Sequence, residues 1–413
     1  MESLADKLRS LGVITGAKSA PVKQPVVSRR ETIESAIGGT EGNNQFGYYY
    51  YIEKTYPLSQ PHGFISMDTT VSLSMLYRWA KVAPEQQVDL SRLVFIDTET
   101  TGLAGGTGTL AFMVGIGFFE QEQFHLHQYF LRNVEEEPAM LAAIDSVVAP
   151  FDGLVSFNGR AFDVPLLNNR YLLNGLDSPC KNRYQIDLLH LARRMWKNRL
   201  ASRALGTIEK EILGFLRSEE EVPGWMAPEL YFNYLKNNNV EGIVPVFYHN
   251  AMDIVSLGAL LIHFAAIISN PLQHQSLPGL DLVAIGHLYA GLEELDTAIR
   301  LYEKGIEEGV PEEFYTNALM RQATLCKKQG DYDYAIANWE KAAEMGNLTA
   351  CEELAKVYEH QFANYELAMQ WVGRANDILE TMPKHNFVRR QQTQLFQHRL
   401  ERLLGKWKSK TEG

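Results

Sequence analysis

The stretch VFIDTETTG, Val94 to Gly102, decides the fold, because it sets Asp97 and Glu99 two residues apart directly behind a short apolar run. Side chains at i and i+2 of a strand project from one face, so the two carboxylates point the same way. Two anions held there repel each other and lose hydration. A cation between them removes the difficulty, and hard oxygen ligands suit Mg²⁺ or Mn²⁺. The six residues DTETTG also read as strand-end carboxylates that cap a turn, and taken alone they do not choose. A calcium EF-hand loop is disfavoured, since its twelfth position falls on Gly108 where a Glu is required. LAGGTGTL is no phosphate cradle either: no GKS or GKT follows it, and the spacing is not GxGxxG.

Outward from this strand the pattern is that of an α/β domain. LVFID, a nearly continuous apolar run over Thr109 to Phe119, and the alternating FHLHQYFL (Phe124 to Leu131) read as three successive strands. EEEPAMLAAIDSVVAPF then has helical periodicity with acids in its first turn, LVSFNG is a strand, and helical patterns follow at Val164 to Leu173 and Asp187 to Arg199. Meandering strands followed by a helix, a strand and more helices predict a mixed sheet flanked by helices, over residues 41–270. Residues 1–40 read as a tether. The aromatic GYYYYIEKTYPLSQPHG, Gly47 to Gly63, reads as an edge strand.

Two more acidic motifs lie downstream. SFNGRAFDVPLL puts Asp163 beyond a strand and just before Pro165, a position preset for a first helical turn. YHNAMDIVSLGALL puts Asp253 inside an apolar helix with His249 one turn earlier on the same face. Singly, Asp163 also reads as a helix cap and Asp253 as a solvated helix residue.

Together, DxE, FNGxxFDxP and HNxxDIVSL resemble the DEDD-type 3′ to 5′ exonucleases of the ribonuclease H-like superfamily. GLAGGTGTLAF, QYFL, SFNGRAFDVPLL and LGTIEKEILGF are similar to its YprB-type branch, in which a nuclease-like domain precedes tetratricopeptide repeats. The resemblance covers roughly Gly47 to the end of the repeats. It implies that Asp97, Glu99, Asp163 and Asp253 hold two divalent ions, about 4 Å apart, for phosphodiester hydrolysis. In such exonucleases the base is a His five residues before the last Asp or a Tyr four before it. Here Tyr248 is five before and His249 four before, so the identities are exchanged. At about 100° per residue His249 lies roughly 40° from Asp253 and Tyr248 roughly 140° away, which favours His249 as the group that orients or deprotonates the water. A buried, hydrogen-bonded histidine is the alternative. The resemblance leaves open a catalytically lapsed binding protein and a structure-specific endonuclease using the same metals.

Substrate contacts are expected from Asn158 and from the run Lys181 to Arg203, where seven Lys or Arg stand against Asp187 alone. Arg193, Arg194, Lys197, Arg199 and Arg203, with Tyr184 and Trp196, are the candidates for phosphates and bases of a DNA or RNA single-stranded end. A solvated helix face is the alternative reading, and Asp187 reads as a helix cap. The net charge of −11 confines any nucleic-acid surface to such a patch and argues against a membrane coat. Three cysteines without a CxxC suit a reducing compartment. The start MESLADKLRSLGV lacks the features of a targeting peptide, and the apolar run Leu257 to Ile268 is too short to cross a bilayer. A cytoplasmic protein is expected.

Beyond NPLQHQSLPG the strand signal disappears. LYAGLEELDTAIRLYEKGIE, LCKKQGDYDYAIANWEKAAE and YEHQFANYELAMQWVGRAND align on Ala298, Ala335 and Ala368, offset by 37 and 33 residues, with Tyr302, Trp339 and Trp371 near four positions later. That period is close to the ~34 residues of tetratricopeptide helix pairs. Such repeats over residues 275–380, followed by a helical tail over 381–413, imply a protein partner or an extended ligand in a groove.

Overall fold

A computed structural model describes residues 32–102, 108–181, 183–218, 221–274 and 276–411. Most of the expected tether, residues 1–31, and part of the GLAGGTGTLAF stretch, residues 103–107, lie outside the described residues.

Seven strands form one mixed sheet: β1 Thr40–Asn44, β2 Gly47–Pro57, β3 Leu93–Thr100, β4 Ala111–Glu120, β5 Gln123–Phe130, β6 Gly153–Ser156 and β7 Tyr184–Asp187, in spatial order β1-β2-β5-β4-β3-β6-β7. The first five pair antiparallel; β6 lies parallel to β3 and β7 parallel to β6. β3 is buried on both faces, with Leu93 and Phe95 in one core and Val94 and Ile96 in the other, as its unbroken apolar run requires. Because β3 and β6 run parallel, the loop after β6, which carries FNG and leads into the helix Asp163–Leu173, opens at the same sheet edge as Asp97 and Glu99.

Two expectations fail at the other edge. Residues 32–40 are not tether: Thr32 caps the helix Ile33–Ile37, whose Ile33 is buried, and β1, starting at Thr40, then pairs with β2. Arg132 fastens both, with ion pairs of 2.8 Å to Glu34, 2.8 Å to Glu41 and 2.6 Å to Glu136. The tyrosine-rich β2 is therefore an interior strand, Tyr50 buried and Tyr51 stacked on Tyr129 of β5 at 5.9 Å.

The helix Val240–Ser269 crosses β3, β4 and β5. At 30 residues it extends far beyond the apolar run at Leu257–Ile268, and by length and composition it is enough to cross a membrane, contrary to the reading from that run alone. Its most apolar window is 78% buried inside the protein, where it serves as the central core helix. Gly115 and Gly117 of β4 let it approach. A Cβ at Gly115 would stand 2.5 Å from Asn250 Oδ1 and 2.8 Å from Ile254 Cγ1.

Beyond it lie three antiparallel helix pairs, Gly279–Gly291 with Leu295–Glu307, Glu312–Gln329 with Tyr332–Glu344, and Leu348–His360 with Tyr365–Thr381, then the helix Phe387–Thr411. The aligned Ala298, Ala335 and Ala368 each lie in the second helix of a pair and are fully buried. No gap in the packing marks residue 270. Leu257 to Ile268 share one apolar core with Leu282, Ile285, Leu288, Leu301 and Tyr302.

Candidate functional site

β3 supplies Asp97 and Glu99 from one face, and the helix crossing that face supplies Asn250, His249 and Asp253. Asn250, fully buried, donates from Nδ2 to Asp97 Oδ2 at 3.0 Å, and is itself oriented by Gln128 of β5, whose Nε2 donates to Asn250 Oδ1 at 3.0 Å and to Phe247 O at 2.9 Å. His249 Nε2 lies 3.6 Å from Asp253 Oδ2 and 4.0 Å from Glu99 Oε1. Tyr248 is directed away from them, its hydroxyl accepting from Ser218 N at 3.0 Å.

Asp163 reaches the group from the loop after β6. Thr98, between the two β3 carboxylates, donates from Oγ1 to Asp163 Oδ1 at 2.5 Å. Gly159 makes room, because a Cβ there would stand 2.9 Å from Asp163 Oδ2 and 2.6 Å from Ser156 Oγ. Asp187 is a cap: it accepts from Leu189 N at 3.1 Å and from Asn158 N at 2.8 Å. That bond holds Asn158 at φ 67°, a left-handed conformation that asparagine tolerates.

The electrostatics follow from crowding acids away from water. Burial, then the charges of Asp253, Asp163 and Glu99, push Asp97 well above the ordinary carboxylate range. Burial with Asp253 and Asp163 raises Glu99 to about 8, and burial raises Asp163 to about 6 despite the bond from Thr98. This excess of buried negative charge fits the residues to bind cations. Their present orientation is a separate matter: among the described residues no group of three or more His, Cys, Asp or Glu side chains is set to hold a metal ion. Asp163 is turned to Thr98, and Asp253 is bonded to a cation that no motif announced.

That cation is Arg217. Its guanidinium is 8% exposed and pairs with Asp253, with both oxygens of Glu209 at 2.7 Å, and with Glu221 at 2.7 Å; Nη1 also lies 3.1 Å from His249 Nδ1. Glu209, on the π-helical turn Glu209–Leu213, is bonded in turn by Ser256 Oγ at 2.5 Å, and His62 Nε2 lies 2.8 Å from that hydroxyl. Removing one member of such a buried network leaves bare charges. Arg217→Met should therefore cost about 3–5 kcal/mol in denaturant unfolding of the metal-free protein. An unchanged unfolding midpoint would show that these pairs hold nothing together.

The expected substrate patch divides. Arg199 is spent in an ion pair with buried Asp281, Arg203 donates to the carbonyls of Leu200 at 2.9 Å and Ala201 at 3.3 Å, and Arg183 donates to Phe151 O at 2.7 Å. Trp196 is fully buried against Phe264, ring centroids 4.9 Å apart, so it cannot stack on a base. Arg193, Arg194 and Lys197 remain exposed and without an ion pair among the described residues.

A strand order of β5-β4-β3-β6-β7, with acids converging beside the central strand, is the ribonuclease H arrangement, and the sequence profile described as RNase_H superfamily matches residues 94–265. The chain belongs to the RNase_H superfamily. It is also 32% identical over 326 residues to the Bacillus subtilis (strain 168) protein named "Uncharacterized protein YprB", a similarity spanning 77% of this chain and 78% of that one. Membership of the superfamily makes a nuclease the class of activity suggested and nucleic acid the class of ligand implied.

Proposed function

We propose that this protein is a metal-dependent 3′ to 5′ exonuclease of the DEDD type, hydrolysing phosphodiester bonds at a single-stranded end. The observation that carries the reading is the gathering of Asp97, Glu99, Asp163 and Asp253 at one sheet edge, where burial and neighbouring carboxylates raise Asp97 and Glu99 and burial raises Asp163. These four would hold two Mg²⁺ or Mn²⁺ ions, which when bound stabilise attacking and leaving oxygens and acidify water.

The rest belongs to the chain. Asn250 and Gln128 fix Asp97, and Thr98 fixes Asp163. His249 presents Nε2 to the carboxylates while Nδ1 lies 3.2 Å from Glu221 Oε1, an acceptor only. Arg217 Nη1, a donor only, lies 3.1 Å from the same Nδ1, so Glu221 and Arg217 select opposite tautomers, and in the one protonated on Nδ1 the Nε2 lone pair is free to take a proton from a water. His249→Ala should slow cleavage about 10²–10⁴-fold, and Tyr248→Phe should have little effect, both read from single-turnover rates. The reverse ranking would move the proton chemistry to Tyr248.

A lapsed site that only binds nucleic acid is favoured by one observation, the bond from Arg217 to Asp253, since it places a cation where an ion is expected. End-labelled single- and double-stranded DNA and RNA, incubated with Mg²⁺, Mn²⁺ or chelator, separate the readings. A metal-dependent ladder shrinking from the 3′ end supports the exonuclease, internal fragments an endonuclease, and retention without cleavage the lapsed site. The helix pairs, read as tetratricopeptide repeats, are assigned to a protein partner. The buried free thiols of Cys180, Cys326 and Cys351 support a cytoplasmic location.

A further inference from the structure

Where the α/β part meets the first helix pairs, a cleft of about 530 Å³ opens between the end of the helix Leu188–Met195 and the helices Gly279–Gly291 and Glu312–Gln329. None of the four carboxylates lines it. Its rim carries Arg193, Arg194, Lys197 and Arg321, and no Asp or Glu is among its lining residues. Its floor is apolar, with Val283, Ala284, Leu288 and Phe314.

Four cations facing one cleft without an acid are unusual in a chain of net charge −11 whose arginines at 170, 199 and 217 are each paired with an acid. A solvated helix face does not account for it, because Arg321 comes from a different helix and converges on the same space. The rim is also partly pre-set. Arg194 lies over the Trp79 ring at 5.8 Å, and Arg321 Nε donates to Asn317 Oδ1 at 2.9 Å. Like charges brought together in this way are stabilised by an anion, and guanidinium groups match the oxygens of a phosphate. An apolar floor beneath a cationic rim, in a volume within the ~300–1,000 Å³ of small-molecule sites, calls for a ligand that is charged at one end and flat and apolar at the other.

We propose that this cleft binds a nucleoside phosphate, its phosphate on Arg193, Lys197 and Arg321 and its base against the floor beside Phe314. Two sources share that chemistry: a free nucleotide, or one nucleotide of a strand whose end lies at the carboxylates. The second source rests on the nuclease reading; the first does not.

The test uses the full-length protein in chelator, where no metal-dependent cleavage occurs, so failure here and failure of the nuclease assay are separate results. A fluorescent 12-nucleotide strand, a nucleoside monophosphate and inorganic phosphate are titrated onto the parent and onto the triple variant Arg193→Ala, Lys197→Ala, Arg321→Ala. All three side chains are exposed, so the melting temperature should hold. We expect the triple variant to bind at least about tenfold more weakly, with the salt slope for the strand reduced by roughly 2, at about 0.7 per charge removed. Displacement of the strand by saturating mononucleotide identifies the strand as the source; mononucleotide binding that the strand does not contest identifies a free nucleotide. Inorganic phosphate binding as tightly as the mononucleotide, no binding of either the mononucleotide or the strand, or affinities untouched in the triple variant would each overturn the proposal.

Discussion

Asp97→Asn should reduce phosphodiester cleavage to background and, in the same preparation, raise the melting temperature of the metal-free protein. The two effects have one cause. Asp97 is held by Asn250 and enclosed with Glu99, Asp163 and Asp253, and its ionised form is disfavoured by burial and by all three neighbours. Asparagine keeps the shape and removes the charge, so a ligand for cations is lost while repulsion among the carboxylates is relieved. The pH dependence follows from the direction of the shifts. Glu99 has a folded pKa of about 8 against 4.5 in an unstructured chain, so between those values the unfolded state has already released a proton that the native state retains. The Glu99 contribution to metal-free stability should therefore be complete below 4.5 and be lost as pH rises to about 8. Mg²⁺ should reverse the fall by favouring the ionised carboxylates, and Asp97→Asn should make it shallower. Melting curves over this range, with chelator and with Mg²⁺, check the sign. Full activity in Asp97→Asn, or a lower melting temperature in chelator, would refute the metal-site reading.

A chain ending at Asn270 should not fold cooperatively. The sequence places a boundary there, because strands give way to helix pairs after NPLQHQSLPG. In the structure, Leu261, Phe264, Ala265 and Ile268 belong to one apolar core with Leu282, Ile285, Leu288 and Leu301 of the first pair. Polar ties cross the same seam: Tyr289 Oη donates to Ile268 O at 2.7 Å, and Arg78 pairs with Glu294 at 2.8 Å. Uncovering several large apolar side chains at about 1.5–3 kcal/mol each costs a sum comparable to the usual stability of a domain, about 5–15 kcal/mol. Removal of the pair also strips Arg199 of Asp281. The measurement is a thermal or denaturant melt of the truncated protein, and a cooperative transition near that of the full chain would show the first helix pair to be dispensable.

What could be read in advance was whatever depends on local periodicity. The β3 carboxylates declared themselves through the i, i+2 rule behind an apolar run, and His249 with Asp253 through helical spacing. Where periodicity is silent, so was the reading. β1 is TEGNN, polar because it is an exposed edge, and β7 is four residues long. Arg217 sits after a π-helical turn, where no repeat ties its direction to its neighbours, and only tertiary packing brings it to Asp253. The basic run from Lys181 to Arg203 looked like one surface because charge is visible in sequence and partners are not. Asn250 and Glu209 lay within the motifs that were recognised, yet their hydrogen bonds reach across distant elements.

Gly115 carries a wider lesson. It stands opposite Asp97 in the sheet, and the helix that bears Asn250, His249 and Asp253 rests on the space its missing side chain leaves. One hydrogen atom in place of a methyl group thus acts as the gauge block of the machine: it sets the clearance between the two halves of the acidic site without touching any reacting atom. Residues of this kind would be passed over in any search for chemically active groups, although a single added carbon there would misalign every tool mounted above it.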